Sequence, residues 1–149
     1  MTLQSHVDAF HRAFGHPVRD LPQTIGEPEA TLSFALIEEE LDEYREALWT
    51  SEFVECGEPG CCTSWEESYD PDLVKIADAL GDVIWTAIGA ATRHGIDVER
   101  LIEAIAESNM SKLGEDGKPI YTVPGDPTSK ILKGPNYREP DIKGALDLT

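Results

Sequence analysis

Two short acidic runs stand out by residue type and spacing. In Leu36-Ile37-Glu38-Glu39-Glu40-Leu41-Asp42-Glu43, Glu39 and Glu43 are four apart, and Glu40 and Glu43 are three apart. On a helix those spacings put the three carboxylates on neighbouring parts of one face. Like charges so placed weaken a helix by about a few tenths of a kcal/mol per pair, a cost that alternating Glu with Lys would avoid. Glu38 and Asp42 point elsewhere and read as solvated charge. The second run is Asp78-Ala79-Leu80-Gly81-Asp82, set among Leu73, Ile76, Val83, Ile84, Trp85 and Ile88. Aspartate is a poor helix-interior residue and costly to bury unpaired. A shared cation would make both aspartates tolerable, and Gly81 between them would allow close helix approach. Taken alone, an acidic helix face is explained as well by solvation. Two such runs, one of them in an apolar helix, balance a site evenly against plain solvation.

Hard oxygen donors of this kind suit Mg²⁺ or Mn²⁺ rather than zinc. A bare carboxylate cluster would repel a nucleoside triphosphate. Two or more divalent ions reverse the local sign, bridge phosphate oxygens and acidify a bound water. Water activated in this way can attack the α-phosphorus in line, with pyrophosphate leaving. A carboxylate not fully committed to metal can take the proton. Glu39, Glu40, Glu43, Asp78 and Asp82 are the carboxylates on which such a site could draw.

The whole chain frames this chemistry. Its 149 residues suit one domain, and 40% hydrophobic content is enough for a core. A net charge of −17 disfavours nucleic-acid backbones and anionic membranes, and most of it reads as solubility. No stretch resembles a signal peptide, and no window approaches the ~20 apolar residues of a membrane span. A cytoplasmic location is therefore expected. Cys56, Cys61 and Cys62 form no obvious disulfide framework and read as reduced thiols. A zinc site built on them would need a fourth ligand, and no histidine lies near them in sequence.

Four segments are expected to be helical: about 2–14, 29–53, 70–94 and 97–113. Leu3, Val7, Phe10 and Phe14 mark the first, and Gly15 stops it. Leu32, Leu36, Ala47 and Leu48 supply the apolar face of the second. Asp70-Pro71 reads as the cap and first position of the third. Val98, Leu101, Ile102 and Ile105 are expected inward on the fourth. A long loop over 55–70 joins the second and third helices. Beyond Gly114 the chain turns irregular, and Ile120-Tyr121-Thr122-Val123 is a possible short strand without an evident partner. The expected architecture is all-α, a four-to-five-helix bundle with a helical core over about 2–113 and a tail over about 114–149. The helices are too few to bury every apolar face, so a second copy is expected to complete the bundle.

The tail carries the complementary charge. From Asn109 to Lys143 six basic side chains face five acidic ones, a net of +1, so the rest of the −17 chain carries −18. Lysines are flexible point charges suited to phosphate. Lys112 is the strongest candidate because it follows Asn109 by three. Lys118 and Lys143 read as plain surface. Trp49, Trp85 and Phe34 are expected in the core. Trp65, in the long loop, is a candidate for stacking on a base or covering the site. The four histidines show no ligand spacing with the acids, and the Glu-x-x-His pattern of di-iron bundles is absent from both acidic helices.

Together these features resemble the MazG-like, all-α nucleoside triphosphate pyrophosphohydrolases. Glu39-Glu40-Leu41-Asp42-Glu43 fits that superfamily's Glu-Glu-x-x-Glu signature. Its second signature, Glu-x-x-Asp, is met only in part: with Asp82 in register, Ala79 stands at the glutamate position and Asp78 lies one residue earlier. Ser108-Asn109-Met110-Ser111-Lys112, Asp116-Gly117-Lys118-Pro119, Lys130 and Leu132-Lys133-Gly134-Pro135-Asn136-Tyr137 look like a phage and bacterial branch related to the dimeric dUTPases. The resemblance implies a homodimer or dimer of dimers, in a host cytoplasm if phage-encoded. It also implies cleavage of a (deoxy)nucleoside triphosphate, a purine such as dGTP among the options, to monophosphate and pyrophosphate. It assigns metal to Glu39, Glu40, Glu43, Asp82 and Asp78, and substrate contacts to Asn109, Lys112, Lys130, Lys133 and Tyr137. A dUTPase on the same scaffold, or a nucleotide-binding regulator without catalysis, is the alternative.

Overall fold

The computed structural model describes residues 2–54 and 64–148, and only the backbone of 52–54 and 64–66. The elements in order are α1 (Leu3–Phe14), α2 (Glu27–Leu48), β1 (Trp49–Val54), β2 (Ser64–Tyr69), α3 (Leu73–His94), α4 (Val98–Met110) and α5 (Ile142–Ala145). The fold is all-α in class, with one small antiparallel sheet of β1 and β2. Two compact units divide the chain: Met1–Val18 with Thr24–His94, and Arg19–Gln23 with Gly95–Thr149. Among the described residues no helix is long and apolar enough to cross a membrane.

In the first unit, α1 starts where Thr2 accepts a hydrogen bond from the Ser5 amide and stops at Gly15, which takes a left-handed φ of 74°. Such a φ suits glycine, which carries no Cβ to clash. Both α1 and α2 pack against α3. Among the described residues the buried apolar ones are Val7, Ala47, Ala79 and Ile88. Thr92 donates to Asp8 at 2.9 Å and so ties α3 to α1. Arg93, 4% exposed, donates to Ser33 on α2 at 3.2 Å.

The α2 helix ends at Leu48, not near Phe53, and the expected 55–70 loop contributes a strand. Trp49, Thr50, Phe53 and Val54 are β-branched or aromatic residues that favour a pleated ribbon over a helix. Trp49 pairs with Tyr69 and Phe53 with Trp65, and the Trp49 and Tyr69 rings meet edge-to-face at 6.0 Å. Arg45 near the end of α2 pairs with Glu67 on β2. The α3 helix starts at Leu73, two residues beyond the expected proline. Asp72, not Asp70, accepts from the Val74 and Lys75 amides at 2.9 and 3.3 Å.

In the second unit Asp97 caps α4 by accepting from the Arg100 amide at 3.1 Å. The tail is ordered by hydrogen bonds. Tyr121 bridges Ile131, so the suspected 120–123 strand has a partner, though only as an isolated bridge. Ser108, buried on α4, donates to the Arg138 carbonyl at 2.9 Å. Arg100 holds Asp147 through two contacts, at 2.5 and 2.7 Å.

Several side chains expected inside are exposed in this chain. Phe34 and Ile102 are 65% and 56% exposed, and Trp49 and Trp85 are each more than a third exposed. Helical periodicity identifies an apolar face but not the surface that covers it.

Candidate active site

All five expected ligands lie in the first unit: Glu39, Glu40 and Glu43 on α2, Asp78 and Asp82 on α3. Glu40 is half-buried and the other four are exposed. The apolar surroundings of Asp78 and Asp82 in sequence therefore do not translate into burial. Glu40 is the centre of the group. Its carboxyl is held above the ordinary 4.5, first by burial, then by the negative charges of Asp82, Glu43, Glu39 and Asp78 in that order. All four carboxylates paired with it in the sequence reading thus act on it through space, two of them from the neighbouring helix.

Ala79, the residue in register with the superfamily glutamate, is a core residue at 3% exposure. A long carboxylate would have no solvent route there. Asp78, one position earlier, is exposed and within electrostatic reach of Glu40.

A divalent cation fits the donor chemistry of this group, because carboxylate oxygens are hard ligands and a positive charge would relieve the repulsion on Glu40. Among the described residues, however, no three aspartates, glutamates, histidines or cysteines converge closely enough to form a finished ligand cage. The carboxylates would have to draw together around an ion.

The expected substrate contacts lie in the second unit and form two local pairs. The Lys112 ammonium donates to Asn109 Oδ1 at 2.6 Å. The Lys133 ammonium sits 4.0 Å from the centre of the Tyr137 ring, a cation–π contact. Gly134 joins the pairs: its amide donates to the Lys112 carbonyl at 3.0 Å. A Cβ there would meet that carbonyl oxygen at 2.7 Å and run into the Leu113 carbonyl as well, so only glycine lets the strands of chain approach. Lys130 is exposed, and its carbonyl accepts from the Thr122 amide at 2.9 Å and the Thr122 hydroxyl at 2.7 Å. The Trp65 side chain and Cys56, Cys61 and Cys62 lie outside the described residues.

One feature of the first unit escaped the sequence reading. Phe10, His11, Leu36, Trp85 and Arg93 line a cavity of about 340 Å³. Phe10 and Trp85 counted as core by their spacing. The available signal was Arg93, a charge on the otherwise apolar face of α3.

Carboxylates on two packed helices suit a hydrolase of phosphoanhydride bonds, and this chain is one. Residues 7–109 of its 149 match the phosphoribosyl-ATP pyrophosphohydrolase family, and the chain belongs to that MazG-like, all-α family. The match spans every candidate ligand and ends at Asn109, before Lys112, Lys130, Lys133 and Tyr137. No curated protein matches the chain. Nucleotide pyrophosphohydrolysis, of a kind generally dependent on divalent metal, follows from the family.

Proposed function

We propose that the protein hydrolyses a (deoxy)nucleoside triphosphate to the monophosphate and pyrophosphate by water attack at the α-phosphorus, using Mg²⁺ or Mn²⁺. The observation that carries this reading is the match of residues 7–109 to a pyrophosphohydrolase family, with Glu39, Glu40 and Glu43 on α2 and Asp78 and Asp82 on α3 inside it. Those five residues would hold the metal, two or more ions per site. Bound ions supply charge to offset the polyphosphate and acidify the attacking water. One of Glu39, Glu40 and Glu43, not fully committed to metal, would take the proton. Asn109, Lys112, Lys130, Lys133 and Tyr137 are assigned to phosphate and sugar contacts.

The working form is proposed to be a homodimer or a dimer of dimers. Leu73 and Val74 at the start of α3 are 77% and 79% exposed, and Phe34 on α2 is 65% exposed. Apolar exposure on that scale is characteristic of a surface covered by a second chain. Light scattering at micromolar concentration tests this, and a monomer would count against it.

The family name supports a second substrate, phosphoribosyl-ATP, on the same chemistry. A dUTPase is the other enzyme reading. Pyrophosphate release from dNTPs, dUTP and phosphoribosyl-ATP separates all three. Nucleotide binding without release from any of them would turn the reading to a regulator.

A further inference from the structure

Ser108 and Ser111 have no place among the expected ligands or substrate contacts, yet both hydroxyls are engaged with the tail. They lie three apart at the C-terminal end of α4, so they share one face. Ser108, 6% exposed, donates to the Arg138 carbonyl at 2.9 Å. The Ser111 hydroxyl accepts from the Arg138 amide at 2.8 Å. Its single proton goes to the Ser108 carbonyl at 2.7 Å, a shorter contact than the 3.4 Å to the Arg138 carbonyl. One residue of the tail is thus gripped at both its amide and its carbonyl.

The gripped residue ends a short, stiff piece of chain. The Tyr137 amide donates to the Gly134 carbonyl at 3.1 Å, which closes a turn over Gly134-Pro135-Asn136-Tyr137. Proline at the second position of such a turn has its φ set in advance. At the other end of the piece, the Gly134 amide donates to the Lys112 carbonyl at 3.0 Å. The turn is therefore fastened to the end of α4 at two points, Gly134 and Arg138. Lys133 and Tyr137 flank it, with the Lys133 ammonium 4.0 Å from the centre of the Tyr137 ring. The pairs interleave in sequence: Ser108 and Ser111 grip the tail, while Asn109 and Lys112 bond to each other between and beyond them.

Fastened at Gly134 alone, the turn could pivot. A charge-assisted contact to phosphate needs its donor within ~2.7–2.9 Å, and a misplacement of about 1 Å can be costly. Resting on the assignment of Asn109, Lys112, Lys133 and Tyr137 to the substrate, we propose that Ser108 and Ser111 are positioning residues. By gripping the Arg138 peptide groups they hold Lys133 and Tyr137 beside Asn109 and Lys112, so that both ammonium groups meet one polyphosphate.

Two measurements on the full chain test this. The first needs no substrate. A lysine held over an aromatic ring has its ε-methylene protons shifted upfield, which NMR of lysine-labelled protein reads, with Lys133→Arg to identify the signal. Ser111→Ala is expected to return that signal to its ordinary position with helical content by circular dichroism unchanged, since the site is only half-buried. Ser108→Ala should act in the same direction, and Ser111→Thr, which keeps the hydroxyl, should retain the shift. The second measurement is pyrophosphate release with Mg²⁺ from the four common dNTPs, dUTP and phosphoribosyl-ATP. On the substrate that the wild type cleaves, Ser111→Ala is expected to raise KM about 5- to 10-fold with kcat within about 2-fold, as loss of a contact common to ground and transition states does. Lys133→Ala should raise KM about 10-fold, and adding Ser111→Ala to it should change KM by less than about 2-fold, because the serine acts through that lysine. An upfield signal that persists in both alanine variants would overturn the proposal. So would an unchanged KM, effects of Ser111→Ala and Lys133→Ala that multiply in full, or a threonine variant no better than the alanine one. A wild type that cleaves none of the nucleotides removes the hydrolase reading, and the NMR signal then decides the serine grip alone: lost in the alanine variants it stands, kept it falls.

Discussion

Replacing Glu40 with glutamine should make the metal-free protein more stable and the enzyme inactive. The folded Glu40 carboxyl binds its proton more tightly than the unfolded chain does, because burial and four like charges disfavour ionisation. A raised folded pKa contributes stability at low pH that is lost as pH rises through it, so near pH 7 the ionised group is a cost. Like-charge neighbours on helices cost about 0.2–0.5 kcal/mol per pair. Four neighbours at a half-solvated position therefore amount to on the order of 1 kcal/mol at low salt, after allowance for screening. Glu40→Gln removes that repulsion, and for a chain of this size Tm should rise by about 2–4 °C. Calorimetry in EDTA at low ionic strength reads the shift, which should shrink in 0.15 M salt as the Debye length falls to about 8 Å. Adding Mg²⁺ or Mn²⁺ should reverse the order. Ligand at about 100 times its dissociation constant stabilises the wild type by about 2.7 kcal/mol, and the variant, short of a ligand, by much less. Equal or lower stability of the variant in EDTA, with the metal-induced shift intact, would refute the idea that these carboxylates form one group.

Other expectations follow from particular contacts. Gly134→Ala must displace the Lys112 and Leu113 carbonyls, so KM for nucleotide should rise several-fold while the helical content by circular dichroism stays unchanged. Thr92→Val removes a donor to Asp8 inside the α1–α3 contact and should cost about 1–2 kcal/mol in denaturant unfolding. His11 is held below its ordinary 6.5, first by burial, with Arg93 and His16 adding to the shift. Its stabilising contribution is therefore present above pH 6.5 and lost as pH falls below it. The wild type should lose stability between pH 7 and 5 more steeply than His11→Gln.

The helices were legible where a chemical signal marks their ends. Gly15 acts as read, and Thr2 and Asp97, where the first and fourth helices were expected to begin, are their caps, because a cap is a local hydrogen bond or a local φ. The start of α3 was displaced because Asp70 and Asp72 are both competent caps, and only the hydrogen bonds at Asp72 distinguish them. The hairpin was missed because the helical reading ran on through Trp49-Thr50-Ser51-Glu52-Phe53-Val54. Its β-forming residues, and the glycines and proline beyond them, were the signal. The spacing of Glu39, Glu40 and Glu43 showed one acidic face. It did not show that α3 brings Asp78 and Asp82 into range of Glu40, because helix–helix register is a property of packing. The cavity was invisible for a related reason. Phe10 and Trp85 have helical spacing, and only the folded chain shows the cavity that they help to line.

The most direct test of the central claim is pyrophosphate release with Mg²⁺ or Mn²⁺ across the four common dNTPs, dUTP and phosphoribosyl-ATP, with Glu40→Gln as control. Release of pyrophosphate and a nucleoside monophosphate from at least one of them, reduced about 100-fold or more in the variant, is the expected result. Bound nucleotide that stays intact with either metal, or release that Glu40→Gln leaves unchanged, would contradict it.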